Sequence, residues 1–447
     1  MSLRKSVAGL ILTGMLIIVV CSCKENGTPE STFDQLQSKI LTPSCAISGC
    51  HASKNDVTFS QHELILEKNV AYANLVNIRP KNTNAQADGL LRVKPGEPEK
   101  SLFIHKLHLY DHHMQDYGNP MPLGLTKLSM GQLEFIEQWI NAGAPKTGIV
   151  ADASLLADEV AQTENFVPLA PPDAGKGFQI NISKFSVSPF FEREFFVYKY
   201  LGNTQEIFVN RFEINMRMNS HHFVLYDFNS SLPPNFIPQP DVVRDIRNLD
   251  GSLNSANMFL MAYHVYVVGS QSPYLNYEFP PGVALRMGAN MSLDFNSHYV
   301  NKEPTPIDGE VNINFHTTPQ ASVVKEAKTL NLNNTIITLK PNQRTVISKS
   351  FTMSSDISVI ALTSHTHQLG EKFVIKIIGG TRNGEIVYTS TDWHHPQFVK
   401  YDPPLVLHPG EGLKSEITYN NTKSQTVSFG LTSEDEMGII FGYYTLN

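Results

Sequence analysis

The chain has 447 residues, enough for about three domains at roughly 150 residues each. Hydrophobic residues form 41% and charged residues 17%, which excludes a disordered or collagen-like chain. Lys+Arg 35 against Asp+Glu 42 leaves a net charge of -7, without the basic footprint of a sequence-independent nucleic-acid binder. The 16 histidines outnumber the 4 cysteines and fall in clusters, so metal chemistry is the class to follow.

At the N-terminus, Arg4 and Lys5 precede an apolar run from Val7 to Val20. That run is too short to span a bilayer comfortably and suits a signal peptide. Val20-Cys21-Ser22-Cys23 resembles a bacterial lipobox, with Ser22 as the small residue before the lipidated cysteine. The expectation is a signal at 1–23, lipidation of Cys23 and a polar tether at 24–34. Cys21 is the weaker candidate, and a conventional secretory cleavage is the alternative. Either way the chain is expected in the bacterial cell envelope, periplasmic or at the outer-membrane surface. Its membrane contact is then the lipid anchor.

The next segment, 35–148, carries Cys45-Ala46-Ile47-Ser48-Gly49-Cys50-His51. The usual c-type haem attachment is C-x-x-C-H, in which two thiols form thioethers and the histidine ligates iron. Two extra residues bulge this version, and a plain Cys45–Cys50 disulfide in an oxidising compartment is the competing reading. Downstream come Arg92-Val93, Pro95-Gly96, Met121-Pro122 and Trp139-Ile140-Asn141-Ala142-Gly143. In this order the motifs resemble the compact cytochrome c domains appended to bacterial exported enzymes. The resemblance implies one covalently bound c-type haem on Cys45, Cys50 and His51, with Met121 as second axial ligand. His105, His108, His112, His113 and Met114 compete for that role. Apolar spacing over Leu133 to Ile140, with Gly143 as a stop, predicts a closing helix.

Residues 149–177 read as a linker, rich in Pro and Ala, with a short helix expected around Leu155 to Ala161. Beyond it, short alternating runs such as Phe178-x-Ile180-x-Ile182 predict β-sandwiches. The expected architecture is a small all-α cytochrome c-like domain followed by two all-β, jelly-roll-type sandwiches, 178–323 and 324–447.

Those sandwiches carry four chemically notable places: His221-His222, His298, His365-Thr366-His367 and Met437. Positions i and i+2 of a strand share a face, so His365 and His367 form a two-point imidazole clamp. A methionine sulfur completing that set makes it soft and favours Cu(I). Adjacent His221 and His222 would point to opposite faces of an ideal strand, so joint ligation requires a twist or bulge.

Together with Asp392-Trp393-His394-His395-Pro396-Gln397-Phe398, His408-Pro409-Gly410 and Glu436-Met437, these residues resemble the copper type II, ascorbate-dependent monooxygenases. The dopamine-hydroxylating branch looks the nearer. The resemblance covers roughly 178–447 and implies two copper ions. One, on His221, His222 and His298, transfers electrons. The other, on His365, His367 and Met437, binds O2 and carries the catalysis, hydroxylating a C–H bond of a small-molecule substrate. In the peptide-specific branch, charged and polar residues hold the substrate carboxylate. Thr363, Ile439 and Phe441 stand at those positions here, which argues for an apolar pocket instead. His394, His395 and His408 read as structural, although either of the first two could line the cleft; His264 and His316 read as ordinary residues. Fused to a cytochrome, such an enzyme would draw electrons from an external donor, a redox protein or an ascorbate-like reductant. The competing class is a copper- and haem-binding lipoprotein that hydroxylates nothing. Oxygen consumption coupled to substrate oxidation separates the two.

Overall fold

The structure, a computed structural model, describes residues 30–56, 58–108, 117–163, 166–393, 396–432 and 434–447. Cys23 and the rest of the expected signal, His112, His113 and Met114, and His394 and His395 lie outside the described residues.

The N-terminal part is helical, with isolated bridges but no extended strand among its described residues. Its helices are short apart from Met130–Asn141. Thr32–Leu36 opens on a capping box, Ser31 Oγ taking the Asp34 N–H while Asp34 accepts from Ser31, which satisfies two otherwise orphaned donors. The chain continues through a π-turn, Gln37–Leu41, and a last turn, Thr42–Ser44, that delivers Cys45. The expected closing helix is Met130–Asn141, capped reciprocally by Ser129 and Gln132. It ends before Gly143, whose φ of 91° suits glycine. This helix buries Phe135, Ile136, Trp139 and Ile140 in a core with Phe33, and the Trp139 indole N–H donates to the Pro145 carbonyl at 2.9 Å.

The segment expected as a linker is laid down rather than free. Its short helix is a 3-10 turn, Ala153–Ala157. The Gln162 side-chain amide donates to the Leu107 and Leu128 carbonyls. Further on, buried asparagines of one sandwich take over. Asn215 and Asn314 donate to the Val167 and Ala170 carbonyls, both at 2.9 Å, and Asn312 accepts from Leu169 N–H at 3.2 Å. Asn312 and Asn314 share a strand face, and Asn215 pairs across from Asn312. Each buried amide therefore gains a partner, and the linker backbone is pinned.

The rest of the chain is β. One large sheet runs in the order Gly177–Val187, Ile307–Thr317, Ile207–Met216, Val283–Met287, Lys325–Asn333, Ile439–Leu446, Ile357–His365 and Val399–Leu407, with Tyr274–Glu278 beside Ile207–Met216. Besides a short ladder of Thr338–Leu339 with Val427–Ser428, two further sheets cover it. One is Val243–Asp245, Glu192–Tyr200, Ser292–Val300, Ser220–Phe228 and His264–Ser270; the other is Gln343–Thr352, Gly412–Asn421, Gly370–Ile378 and Ile386–Ser390. The two sandwiches thus share one continuous sheet, joined where Lys325–Ala327 pairs in parallel with Val283–Leu285.

The described cysteines, Cys45 and Cys50, both lie in the helical part and are free, so strand pairing and packing rather than a disulfide of theirs hold this joint. Tyr443, from the C-terminal strand, stacks on Tyr277 with ring centroids 5.3 Å apart. Its hydroxyl donates to the Val267 carbonyl at 2.7 Å. Phe398 and Phe279 close around it. Replacing Tyr443 by Ala is expected to lower stability by about 3–5 kcal/mol, as for other large aromatic truncations. Tyr443→Phe keeps the packing and is expected to cost roughly 1–3 kcal/mol, because the buried carbonyl loses its donor. Urea unfolding followed by fluorescence reads both, and a Tyr443→Ala midpoint equal to wild type would remove the joint from the account.

Candidate metal centre

Three antiparallel strands build the first donor set. Glu194 pairs across from His298, and His298 from His222, so the three stand in one row over the sheet. Ser220 pairs with Tyr299 but His222 with His298, which leaves one extra residue in the Ser220–Phe228 strand at His221. That is the bulge that joint ligation requires, and it re-aims His221 to the side of its neighbour. Asn219, just before it, sits at φ 64°, a conformation asparagine tolerates. As a result His221, His222 and His298 each bring a ring nitrogen within 4.8 Å of the others.

The neighbours settle which nitrogens are available. The Asn296 amide NH2 donates to Glu194 Oε1 at 3.1 Å and to the Phe195 carbonyl at 3.3 Å. Its Oδ1 must then accept, at 2.6 Å, from His222 Nε2–H. Glu192 accepts from His298 Nε2–H at 2.8 Å. Both rings therefore turn Nδ1 inward, the outer nitrogen being held as in carboxylate–histidine–metal arrangements. His298 Nδ1 is buried without a hydrogen-bond partner, and His221 Nδ1 lies 3.0 Å from His222 Nδ1. Converging nitrogens at such spacing suit a cation between them. Burial alone would raise the Glu194 carboxyl, but the charge on His298 and the His222 hydrogen bond outweigh it and hold it at about 2. Burial opposes charge on His298, yet Glu194 and Glu192 raise it above the usual imidazole value.

The second donor set lies where the strand Ile357–His365 runs out. His365 is its last residue and His367 stands in the following loop, so the shared strand face predicted for the pair holds only for the first of them. The rings still meet, with centroids 5.2 Å apart. His367 Nδ1–H donates to the Asp435 carbonyl at 3.0 Å, leaving Nε2 as its free donor atom. Glu436, fully buried, accepts from the backbone N–H of His367 at 3.0 Å and of Leu369 at 2.7 Å. One carboxyl therefore fastens the histidine loop to the residue beside Met437, and burial raises it to about 8. His365 is driven well below the usual value, by burial first and then by His367 and His222.

Both donor sets line a single cavity of about 600 Å³ between the sandwiches. Thr363, Ile439 and Phe441 line it beside His365, Thr363 pairing with Phe441 and His365 with Ile439. His264, read as ordinary, also lines it, hydrogen-bonded to buried Asp294 at 2.9 Å and stacked on Tyr226. His316 pairs with Glu213, and His408 is exposed and paired with Asp356.

A second cavity, of about 410 Å³, is lined by Cys45, Cys50, His51 and Met121 together. His51 Nδ1–H donates to the Leu64 carbonyl at 3.2 Å, leaving Nε2 available. Burial, the largest influence, lowers His51 to about 4 and lifts the Cys45 thiol to about 12. Of the competing ligands, His105 bonds the Glu99 carbonyl and His108 pairs with Glu137 at 2.9 Å. His62, which the motif reading passed over, lies against His51 with ring centroids 4.1 Å apart. Both its nitrogens are taken, by Thr58 Oγ1 and Leu64 N–H. Arg92, Lys81 and Lys106 add positive charge to the lining.

Glu192, Glu194, Asn296 and Glu436 were not singled out from the sequence as working residues. The alternation Glu192-x-Glu194 and Asn296-x-His298 was the available signal, since each pair shares a strand face.

No curated protein matches the chain. Solved structures similar to it include the major capsid protein P2 from bacteriophage PM2, at 7% identity and TM-score 0.22, covering 57% of this chain and 98% of that one. PNGase F, a glycosylasparaginase from Flavobacterium meningosepticum, is similar at 8% identity and TM-score 0.23, covering 60% and 96%. Likeness at these scores carries no argument. Residues 327–446, which hold His365, His367 and Met437, match the copper type II ascorbate-dependent monooxygenase C-terminal domain.

Proposed function

We propose that the chain is an exported copper-dependent monooxygenase that hydroxylates a C–H bond of a small organic substrate with O2, with electrons supplied through a c-type haem held by its helical part. The observation that carries the reading is the convergence of two donor sets, three imidazoles in one and two imidazoles with a thioether in the other, on one cavity. The inward Nδ1 of His298, buried and unbonded, and the close Nδ1 pair of His221 and His222 fit a cation. Neutral nitrogen and thioether donors suit copper, and the methionine favours Cu(I).

Copper bound at the two sets would supply one-electron storage and O2 activation. The chain's own part is positional. Glu192 and Asn296 hold the outer protons of His298 and His222 and so fix the rings. Glu436 holds the His367 loop against Met437. Thr363, Ile439 and Phe441 offer a substrate an uncharged surface beside His365, which favours an apolar molecule over a carboxylate.

The haem reading rests on the single cavity that Cys45, Cys50, His51 and Met121 line. Its volume falls in the roughly 300–1,000 Å³ range of cofactor sites. The two thiols are free and His51 presents Nε2, while Arg92, Lys81 and Lys106 make the lining positive although each already has partners within the chain, Arg92 the Asn74 and His62 carbonyls, Lys81 the Glu63 carboxylate and Lys106 the Tyr117 carbonyl. Haem bound there would supply one-electron transfer from an external donor. Export and lipidation at Cys23 belong to the same reading.

Protein matured in a host competent in c-type haem attachment is expected to hold two coppers and one iron per chain by elemental analysis. His298→Ala should leave one copper, and Met437→Ala should abolish substrate-coupled O2 uptake. No copper at any loading would sink the monooxygenase reading. Iron absent from matured protein, with Cys45 and Cys50 oxidised together, would replace haem by a disulfide. Glu436→Ala frees two buried N–H groups beside the second set. It is expected to weaken copper there about 10–100-fold, the usual loss for a supporting residue, while the three-histidine site keeps its affinity. Competitive chelator titration separates the two sites, and equal weakening of both would mean that Glu436 acts on the fold at large.

A further inference from the structure

The two cavities share a wall, and three chain segments compose it. In the stretch after His298, Val300 lines the first cavity and Lys302 the second. In the stretch before Phe398, Asp392 lines the second cavity while its neighbour Trp393 lines the first. The Trp393 ring lies 5.7 Å from the His221 ring, tilted by 36°. The third segment is the loop that carries Met121. Fully buried Asn119 donates from Nδ2 to the carbonyl of Ser220, the residue before His221, at 3.1 Å. Gly124 N–H donates to Asn219 Oδ1 at 3.1 Å, and Lys302 N–H donates to the Gly124 carbonyl at 2.9 Å. The bulged strand end that positions His221 is thus hydrogen-bonded directly to the Met121 loop, and the Trp393 indole lies against the His221 ring.

We propose that this wall is the electron route from the Cys45/Cys50/His51/Met121 cavity to the His221 imidazole, with Trp393 as the bridging aromatic ring and the Asn119–Ser220 hydrogen bond as its fixed link. The inference rests on the function proposed above. With haem held by Cys45, Cys50 and His51 and copper held by His221, His222 and His298, one electron would cross at a time, lost by the ferrous haem and gained by the cupric site. No proton moves, and the indole is not oxidised but supplies the delocalised orbitals between the two centres. An external one-electron redox protein or ascorbate-like reductant restores the iron. Trp393 and Asn119 ligate neither centre; both are positioning residues.

The test uses the full-length protein loaded with both metals, oxidised and free of O2. An electron is placed on the haem by flash photolysis of a ruthenium sensitiser. Its departure is read from haem absorbance and its arrival from loss of the Cu(II) paramagnetic signal. Trp393→Leu is expected to slow the transfer about tenfold or more, Trp393→Phe to restore most of the rate, and Asn119→Leu to slow it several-fold. Haem midpoint potential and metal content should stay at wild-type values, which a merely structural defect would not allow. Should Trp393→Leu lose a metal, Asn119→Leu and Trp393→Phe decide. Wild-type rates in both leucine variants overturn the route and leave electron entry through haem standing. Wild-type haem that stays reduced beside Cu(II) overturns both.

Discussion

Antiparallel pairing of Glu192–Tyr200, Ser292–Val300 and Ser220–Phe228 dictates which atoms of three imidazoles face one another. With a side-chain period of two, the row Glu194, His298, His222 is a consequence of register, and a slip by one residue would turn it to the opposite face. The same register sets Asn296 beside His298 on its own strand and Glu192 beside Glu194. Five polar side chains therefore meet on a sheet face that is largely withdrawn from water. Burying them is tolerable only because each outer nitrogen has an acceptor and each carboxylate has donors. Removing one partner from such a buried group typically costs about 3–5 kcal/mol. What remains without a hydrogen bond is His298 Nδ1, pointed where its neighbours' nitrogens converge.

The second donor set is built on another principle. No ladder register fixes His367 or Met437, since both lie beyond strand ends; a single buried carboxyl, Glu436, ties their loops together. Two sites made so differently keep a constant relation because the large sheet runs through both sandwiches. The parallel join at Lys325–Ala327 and the aromatic packing around Tyr443 fix the width of the space between them. Their closeness is also electrostatic. His222 lowers His365 across the cavity, and Glu194 acts on His365 and His367 in the opposite sense.

Much of this was legible in the residues. The strand-like runs after residue 178 became strands, and the spacing over Leu133 to Ile140 became the helix Met130–Asn141. The requirement of a bulge at His221 followed from period-two geometry alone, and the register shift between Ser220 and His222 meets it. Other features were out of reach for physical reasons. Glu192 and Glu194 look like any solvated pair until pairing sets them over His298. Glu436 stands beside a methionine, but its two backbone donors lie in a loop almost seventy positions earlier and only the fold brings them together. The stretch 149–177 has the composition of a tether; buried asparagines more than a hundred residues away along the chain convert part of it into a docked strap. His264 carries no motif, and its place in the cavity follows from Tyr226 on the neighbouring strand and Asp294 on the strand beyond it.

On the proposed reading, the placement of the helical part resolves a conflict built into the cleft. The three-histidine site faces the same cavity that a substrate must enter, so a dissolved reductant would compete with substrate for one space. The Met121 loop reaches that site from behind, through the wall made by Asn119, Ser220 and Trp393, and leaves the cavity clear. It can do so only if the helical part is held in a fixed position. The docked strap, the Asn119 hydrogen bond, and the contacts of Gly124 with Asn219 and Lys302 provide that hold without a disulfide. Because the same contacts grip the strand end that carries the bulge, the geometry of His221 and the position of the helical part are one constraint. Loosening the dock would disturb the donor set as well as the path to it.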